Sequence, residues 1–132
     1  MNKLSKEEIP AALTKELEAR PEILFAYLFG SCAEGSSFRD VDVAVYVTDA
    51  ESLKDSLTYT IHLSLALEKI IGWSVDVILL NTAPDHLIHA ISGGKVLLDR
   101  DGEFRSEFVV SAWRRYFDIQ PKRRQALKDM MA

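Results

Sequence analysis

Residues 30–45 read Gly-Ser-Cys-Ala-Glu-Gly-Ser-Ser-Phe-Arg-Asp-Val-Asp-Val-Ala-Val, and this stretch decides the fold. A Gly30-Ser31 turn closes an apolar run, Gly35 follows within the spacer, and Asp40 and Asp42 open a valine-rich segment. Strand side chains alternate with period two. A strand over Val41–Val47 therefore puts Asp40 and Asp42 on one face and Val41, Val43, Val45 and Val47 on the other. Neighbouring carboxylates repel unless they share a proton or a cation. Oxygen-rich donor sets of this kind suit Mg²⁺ or Mn²⁺. A Gly-Ser turn at a helix start offers backbone N–H groups and a hydroxyl to phosphate oxygens. Together these residues read as a metal–nucleotide site.

A third carboxylate supports that reading. Asp76 is the lone charge in Ser74-Val75-Asp76-Val77-Ile78-Leu79-Leu80, a predicted strand. Aspartate is a poor strand former, so in such a run it faces either solvent or a site. If this strand pairs beside Val41–Val47, Asp76 can join Asp40 and Asp42. Gly35 either gives the short loop an unusual backbone angle or is an ordinary turn glycine.

Other residues point to chemistry less specifically. His86 and His89 stand three apart on a predicted helix, but without further ligands nearby they read as an exposed face. Cys32 has no histidine near it in sequence and reads as a small buried residue rather than a nucleophile. Glu34 reads as part of a solvated loop. Arg114, Arg115, Lys122, Arg123, Arg124 and Lys128 form a basic tail, read first as a solvated helix face.

Working outward, Ile23–Phe29 is a continuous apolar and aromatic run, the pattern of a buried strand. Ser5 and Glu8 make a capping box, Ile9, Leu13 and Leu17 recur every fourth residue, and Pro21 closes a helix from about residue 6 to 19. Asp49 caps a predicted long helix with Leu53, Leu57, Ile61 and Leu65 on one stripe, ended by Gly72. Thr82 and Pro84 open a short helix that stops at Gly93-Gly94, and Lys95–Leu98 makes a fourth strand. Glu103–Phe117 reads as a helix, and Pro121 as the start of a last basic helix or tail. Strands alternating with helices indicate an α/β (α+β) fold, with a mixed sheet of about four strands flanked by helices.

The chain has 132 residues, which predicts a single domain: a core over about 23–99 and C-terminal helices over about 103–131. The formal charge of −4 argues against a dedicated nucleic-acid binder. One cysteine excludes an internal disulfide framework and fits a reducing compartment. No signal peptide is visible, and no run approaches the ~20 apolar residues of a membrane span, so a cytoplasmic protein is expected.

Gly30-Ser31, a spacer and Asp40-Val41-Asp42 resemble the signature of the polymerase-β-type nucleotidyltransferases. At this length the chain looks like a minimal nucleotidyltransferase, often the antitoxin half of a pair with a HEPN-domain toxin. The spacer Cys32–Arg39 is shorter than is usual there, and Arg39 stands where such proteins often carry serine. The resemblance implies that Asp40, Asp42 and Asp76 hold Mg²⁺ or Mn²⁺, with Asp76 also drawing a proton from the attacking hydroxyl. Gly30, Ser31 and Gly35 would hold the nucleotide. It further implies transfer of AMP from ATP to a tyrosine of a HEPN toxin. A protein that neutralises its partner by binding alone is the rival expectation, and a homo-oligomer stays open.

Overall fold

The computed structural model describes residues 3–35 and 37–131 and, within them, side chains other than those at 119–122, 124 and 127. The Ser5 N–H donates to Glu8 Oε1 at 2.9 Å, and this bond holds the Glu8 carboxyl below its usual range. A turn then leads into helix α1, Ile9–Glu18, whose Ile9, Leu13 and Leu17 are all buried.

Four strands form one mixed sheet: β1 Ile23–Phe29, β2 Asp40–Val47, β3 Ser74–Leu79 and β4 Lys95–Asp99. Their order is β3-β2-β1-β4, with β1 antiparallel to β2 and β4, and β2 parallel to β3. The expected α/β architecture with a four-stranded mixed sheet is therefore the observed one. A single turn of helix, α2 Ser31–Glu34, follows β1. Helices α3 Ala50–Lys54 and α4 Ser56–Ile71 carry the chain from β2 to β3. Helix α5 Asp85–Ile91 precedes β4, and α6 Gly102–Met131 follows it.

Both faces of the sheet are covered at its centre, which explains why β1 is apolar throughout. On one face Val41, Val43, Val45 and Val47 pack with Leu13 and Leu17 of α1 and Leu63, Leu67 and Ile71 of α4. On the other, Phe25, Tyr27 and Ala44 pack with Ile88 and Ile91 of α5 and Ala112 of α6. The alternation in β2 thus points its valines to the first face and its aspartates to the second.

Three expectations change. The long helix after Asp49 is two helices: Asp49 caps α3 by accepting from the Ser52 N–H at 3.2 Å, and Asp55 caps α4 by accepting from Thr58 N–H at 3.4 Å. The stripe Leu53, Leu57, Ile61 and Leu65 is exposed, and Leu63, Leu67 and Ile71 are the buried positions instead. Both sets recur at helical spacing, so periodicity identifies an apolar face without saying which part of it the sheet covers. Finally, Pro121 begins no new helix, because α6 runs unbroken through it. The Lys-Arg-Arg-Gln-Ala-Leu-Lys run beyond it is rich in helix formers, which favours continuation.

Candidate active site

The site forms at one end of the sheet, where β1 leaves it and β2 enters it. Phe29, the last residue of β1, pairs with Asp42, and the parallel register pairs Asp42 with Asp76 and Asp40 with Ser74. Three neighbouring strands therefore present, in order, the Gly30-Ser31 turn, Asp40 and Asp42, and Asp76. Asp40 and Asp76 are exposed and Asp42 is half-buried. Asp76 meets its expected position because β3 pairs directly with β2; a different strand order would have separated the two.

Gly30 adopts φ +76°, a conformation suited to glycine, and its α-carbon faces the Asp42 carboxylate. A Cβ added there would lie 2.4 Å from Asp42 Oδ2. Glycine at this position is thus what lets the chain turn against the carboxylate. Gly35 closes α2 with φ +85°, in the left-handed region, so its unusual angle is real. Lys6 Nζ sits over it, 2.9 Å from where a Cβ would stand. An open cleft of about 460 Å³ is lined by Ser31, Ser37, Phe38, Arg39, Asp40 and Asp42.

Burial pushes the Asp42 carboxyl above its ordinary range, and the negative charges of Asp76 and Asp40 push it further. Among the described residues no ion pair reaches any of the three carboxylates. Nor does any group of three or more His, Cys, Asp and Glu side chains converge tightly enough to hold a metal alone. The donor set nonetheless fits Mg²⁺, which typically uses one or two carboxylates and takes the rest of its shell from substrate phosphates and water. Asp42, with Asp40 or Asp76, supplies that number.

The weaker candidates resolve plainly. Burial raises the Cys32 thiol, with Lys6 opposing and Asp42 adding to the shift, so it stays a protonated core residue. His89 is enclosed by Trp113, Tyr116 and Phe117, with ring centroids 4.4, 4.9 and 5.5 Å away, and His86 is exposed. Arg115 pairs with Asp85 at 3.0 Å, while the Lys122 and Arg124 side chains lie outside the described residues. Phe38 and Trp73 escaped the sequence reading. Their ring centroids lie 4.7 Å apart with the planes tilted by 45°, Lys3 Nζ lies 4.3 Å from the Trp73 ring centroid, and the indole N–H donates to Leu4 O at 2.9 Å. The cleft loop is thereby tied to the start of β3. An aromatic in a polar loop was the only available signal for Phe38.

Solved structures of toxin–antitoxin proteins share this fold. A chain of the complex of tri-AMPylated Shewanella oneidensis HEPN toxin with MNT antitoxin is 22% identical, covering 97% of this chain and 100% of that one, with a TM-score of 0.69. A chain of a toxin–antitoxin complex with AMP-PNP is 24% identical over 98% and 100%, at 0.68. A chain of a mutant MntA–HpeT toxin–antitoxin is 25% identical over 98% and 100%, also at 0.68. No curated protein matches the sequence. The family described as Polymerase beta, Nucleotidyltransferase matches residues 11–103, from α1 through the turn and all three carboxylates to the start of α6, and this chain belongs to it.

Proposed function

We propose that residues 1–132 form a single Mg²⁺-dependent nucleotidyltransferase domain that transfers AMP from ATP to a tyrosine hydroxyl of a HEPN toxin, acting as its antitoxin. The parallel register that sets Asp76 beside Asp42, next to the Gly30-Ser31 turn, carries this reading. The tri-AMPylated HEPN toxin in the similar complex and the AMP-PNP in another support the nucleotide and the acceptor. No described helix is long and apolar enough to cross a membrane.

In this mechanism Ser31 Oγ and the N–H groups at the start of α2 donate to phosphate oxygens of ATP. Asp40 and Asp42 would hold the Mg²⁺, with Asp76 beside them on β3. When bound, such an ion would neutralise charge on the phosphates and so favour departure of pyrophosphate. Asp76 accepts the proton of the acceptor hydroxyl and passes it to solvent. The oxygen–phosphorus bond forms as the bond to pyrophosphate breaks. Arg39, which lines the cleft, and Lys6, which lies over Gly35, would add positive potential for the triphosphate.

A binding-only antitoxin is the second reading, supported by the short Cys32–Arg39 spacer. Labelled ATP, Mg²⁺ and the cognate HEPN-domain protein separate the two. Label on a tyrosine of the acceptor, lost in Asp42→Asn, supports transfer. Stoichiometric inhibition without label, unaffected by Asp40→Ala, supports masking.

A further inference from the structure

Leu57, Ile61 and Leu65 are 70%, 48% and 58% exposed, and at helical spacing they form an apolar row along α4. The row lies roughly a third of a turn around α4 from the buried Leu63, Leu67 and Ile71, so the apolar arc of this helix is wider than the sheet beneath it. Single exposed leucines are ordinary, but a contiguous row on one side of a helix marks an interaction surface. One end of this row reaches the β3 edge, where Thr60, Ile61, Ser64 and Leu65 of α4 share a groove with Asp76 and Val77 of β3.

The order of groups across the sheet says what arrives there. In-line displacement needs the entering and leaving oxygens on opposite sides of the phosphorus. The phosphate-holding turn lies at the end of β1, Asp42 on β2, and Asp76 on β3 at the sheet edge. The entering hydroxyl therefore comes over the β3 edge, beside the apolar row. The groove of about 200 Å³ is smaller than the ~300–1,000 Å³ of ordinary small-molecule pockets, so a small acceptor has no enclosure here. Strand addition by a second copy is also disfavoured near the site. The Val75 N–H already donates to Glu68 Oε2 at 3.1 Å, and its carbonyl accepts from Ser64 Oγ.

We infer that Leu57, Ile61 and Leu65 are the seat of the acceptor protein: an apolar face of that protein packs on the row and brings a hydroxyl at its rim to Asp76. The inference rests on the transfer reaction proposed above. It concerns where the acceptor binds, and so can fail separately from that reaction.

The test measures the affinity of the full-length chain for its purified HEPN-domain protein, alongside labelling of that protein from ATP. Ile61→Asp/Leu65→Asp and, separately, Leu57→Asp change exposed positions, so melting and the rise in melting temperature with ATP and Mg²⁺ should stay as in wild type. Loss of a central hot spot alone weakens binding by about 30-fold, so the double variant should bind at least about 100-fold more weakly. Labelling should fall at low acceptor concentration and recover at high. Leu57→Asp decides the matter if the double variant melts early. Affinity within threefold of wild type in both variants overturns the proposal. So does a wild-type dimer that the substitutions split while affinity for the HEPN-domain protein persists, because the row would then join two copies. Failure of the wild-type chain to bind that protein overturns it too. Binding without labelling, still lost in the stripe variants, would instead sink the transfer reaction and leave the docking surface standing.

Discussion

The two halves of the candidate site are held by different means. Asp40, Asp42 and Asp76 stand on strands, their spacing set by backbone pairing between β2 and β3. The phosphate side, described over residues 30–35 and 37–39, has one helical turn, two positive-φ glycines and the packing of Phe38 on Trp73. A sheet register tolerates side-chain changes without moving its neighbours, whereas a loop pinned at a few points moves when any one is lost. Substitutions on the strands should therefore remove chemistry and spare the fold. Substitutions in the loop should loosen the grip on substrate, except where the loop touches a carboxylate.

The largest effect belongs to Asp42. Removing the proposed metal ligand should lower transfer by at least about 10³-fold, the equivalent of ~4 kcal/mol of barrier. Stability should move the other way. The folded protein raises the Asp42 pKa, chiefly by burial, so it binds that proton more tightly than the unfolded chain. Stability then falls as pH rises from the unfolded pKa through the folded one, and above that interval the ionised carboxylate opposes folding. Asp42→Asn should flatten this dependence and melt no lower than wild type at pH 7 without metal. A melting temperature that collapses in Asp42→Asn would make the carboxylate structural and erase the contrast between the two halves.

Gly30 is where the halves meet, and it should break the rule that loop changes affect only binding. A Cβ there clashes with Asp42 Oδ2, and φ +76° with ψ −160° strains any other residue by about 1–3 kcal/mol. Gly30→Val should lower the melting temperature by several degrees. It should also cost about 100-fold or more in rate, as a displacement near 1 Å does at a reacting centre. Gly30→Ala with full activity would show that the turn does not position Asp42.

Much of this architecture was legible because backbone rules act locally. The alternation Asp40-Val41-Asp42-Val43 placed both aspartates on one face, and the unbroken apolar run Ile23–Phe29 announced a strand covered on both sides. What escaped depends on distant partners. Leu57, Ile61 and Leu65 have the same spacing as Leu63, Leu67 and Ile71, and only the position of the sheet distinguishes them. Asp55 was hidden behind Asp49, since two caps six residues apart look like one helix start. The tie between Phe38 and Trp73 spans 35 positions, and nothing local to either residue reveals it.

Ser31 tests the grip on phosphate without touching a carboxylate. It is exposed at the first turn of α2 and lines the cleft. A hydrogen bond to a charged group is worth about 1.5–3 kcal/mol, so Ser31→Ala should slow transfer by roughly 10- to 150-fold with an unchanged melting temperature. Steady-state kinetics against ATP would measure it. Full activity would leave phosphate binding to the backbone N–H groups, Lys6 and Arg39.

The smallest effect should come from Phe38, which tethers the loop by packing on Trp73 and against the core beneath it. Trp73 is the poorer site to substitute, because its indole also holds Leu4 O and stacks under Lys3, so its loss would disturb the N-terminal segment as well. Phe38→Ala removes the ring contact with Trp73 and the packing of Phe38 against the core, and leaves the N-terminal segment in place. An aromatic pair contributes about 0.5–1.5 kcal/mol beyond its buried area, which corresponds to roughly 2- to 13-fold in the population of the ordered loop. That factor should appear in KM for ATP, because the free loop must be re-ordered when the triphosphate binds. The kcat should be nearly constant once ATP is saturating, since Asp42 and Asp76 remain set by the strand register. Phe38→Tyr, which keeps the ring, should restore KM. A fall in kcat matching that of Asp42→Asn would mean that the loop positions the carboxylates themselves, and the two halves of the site would be one mechanical unit.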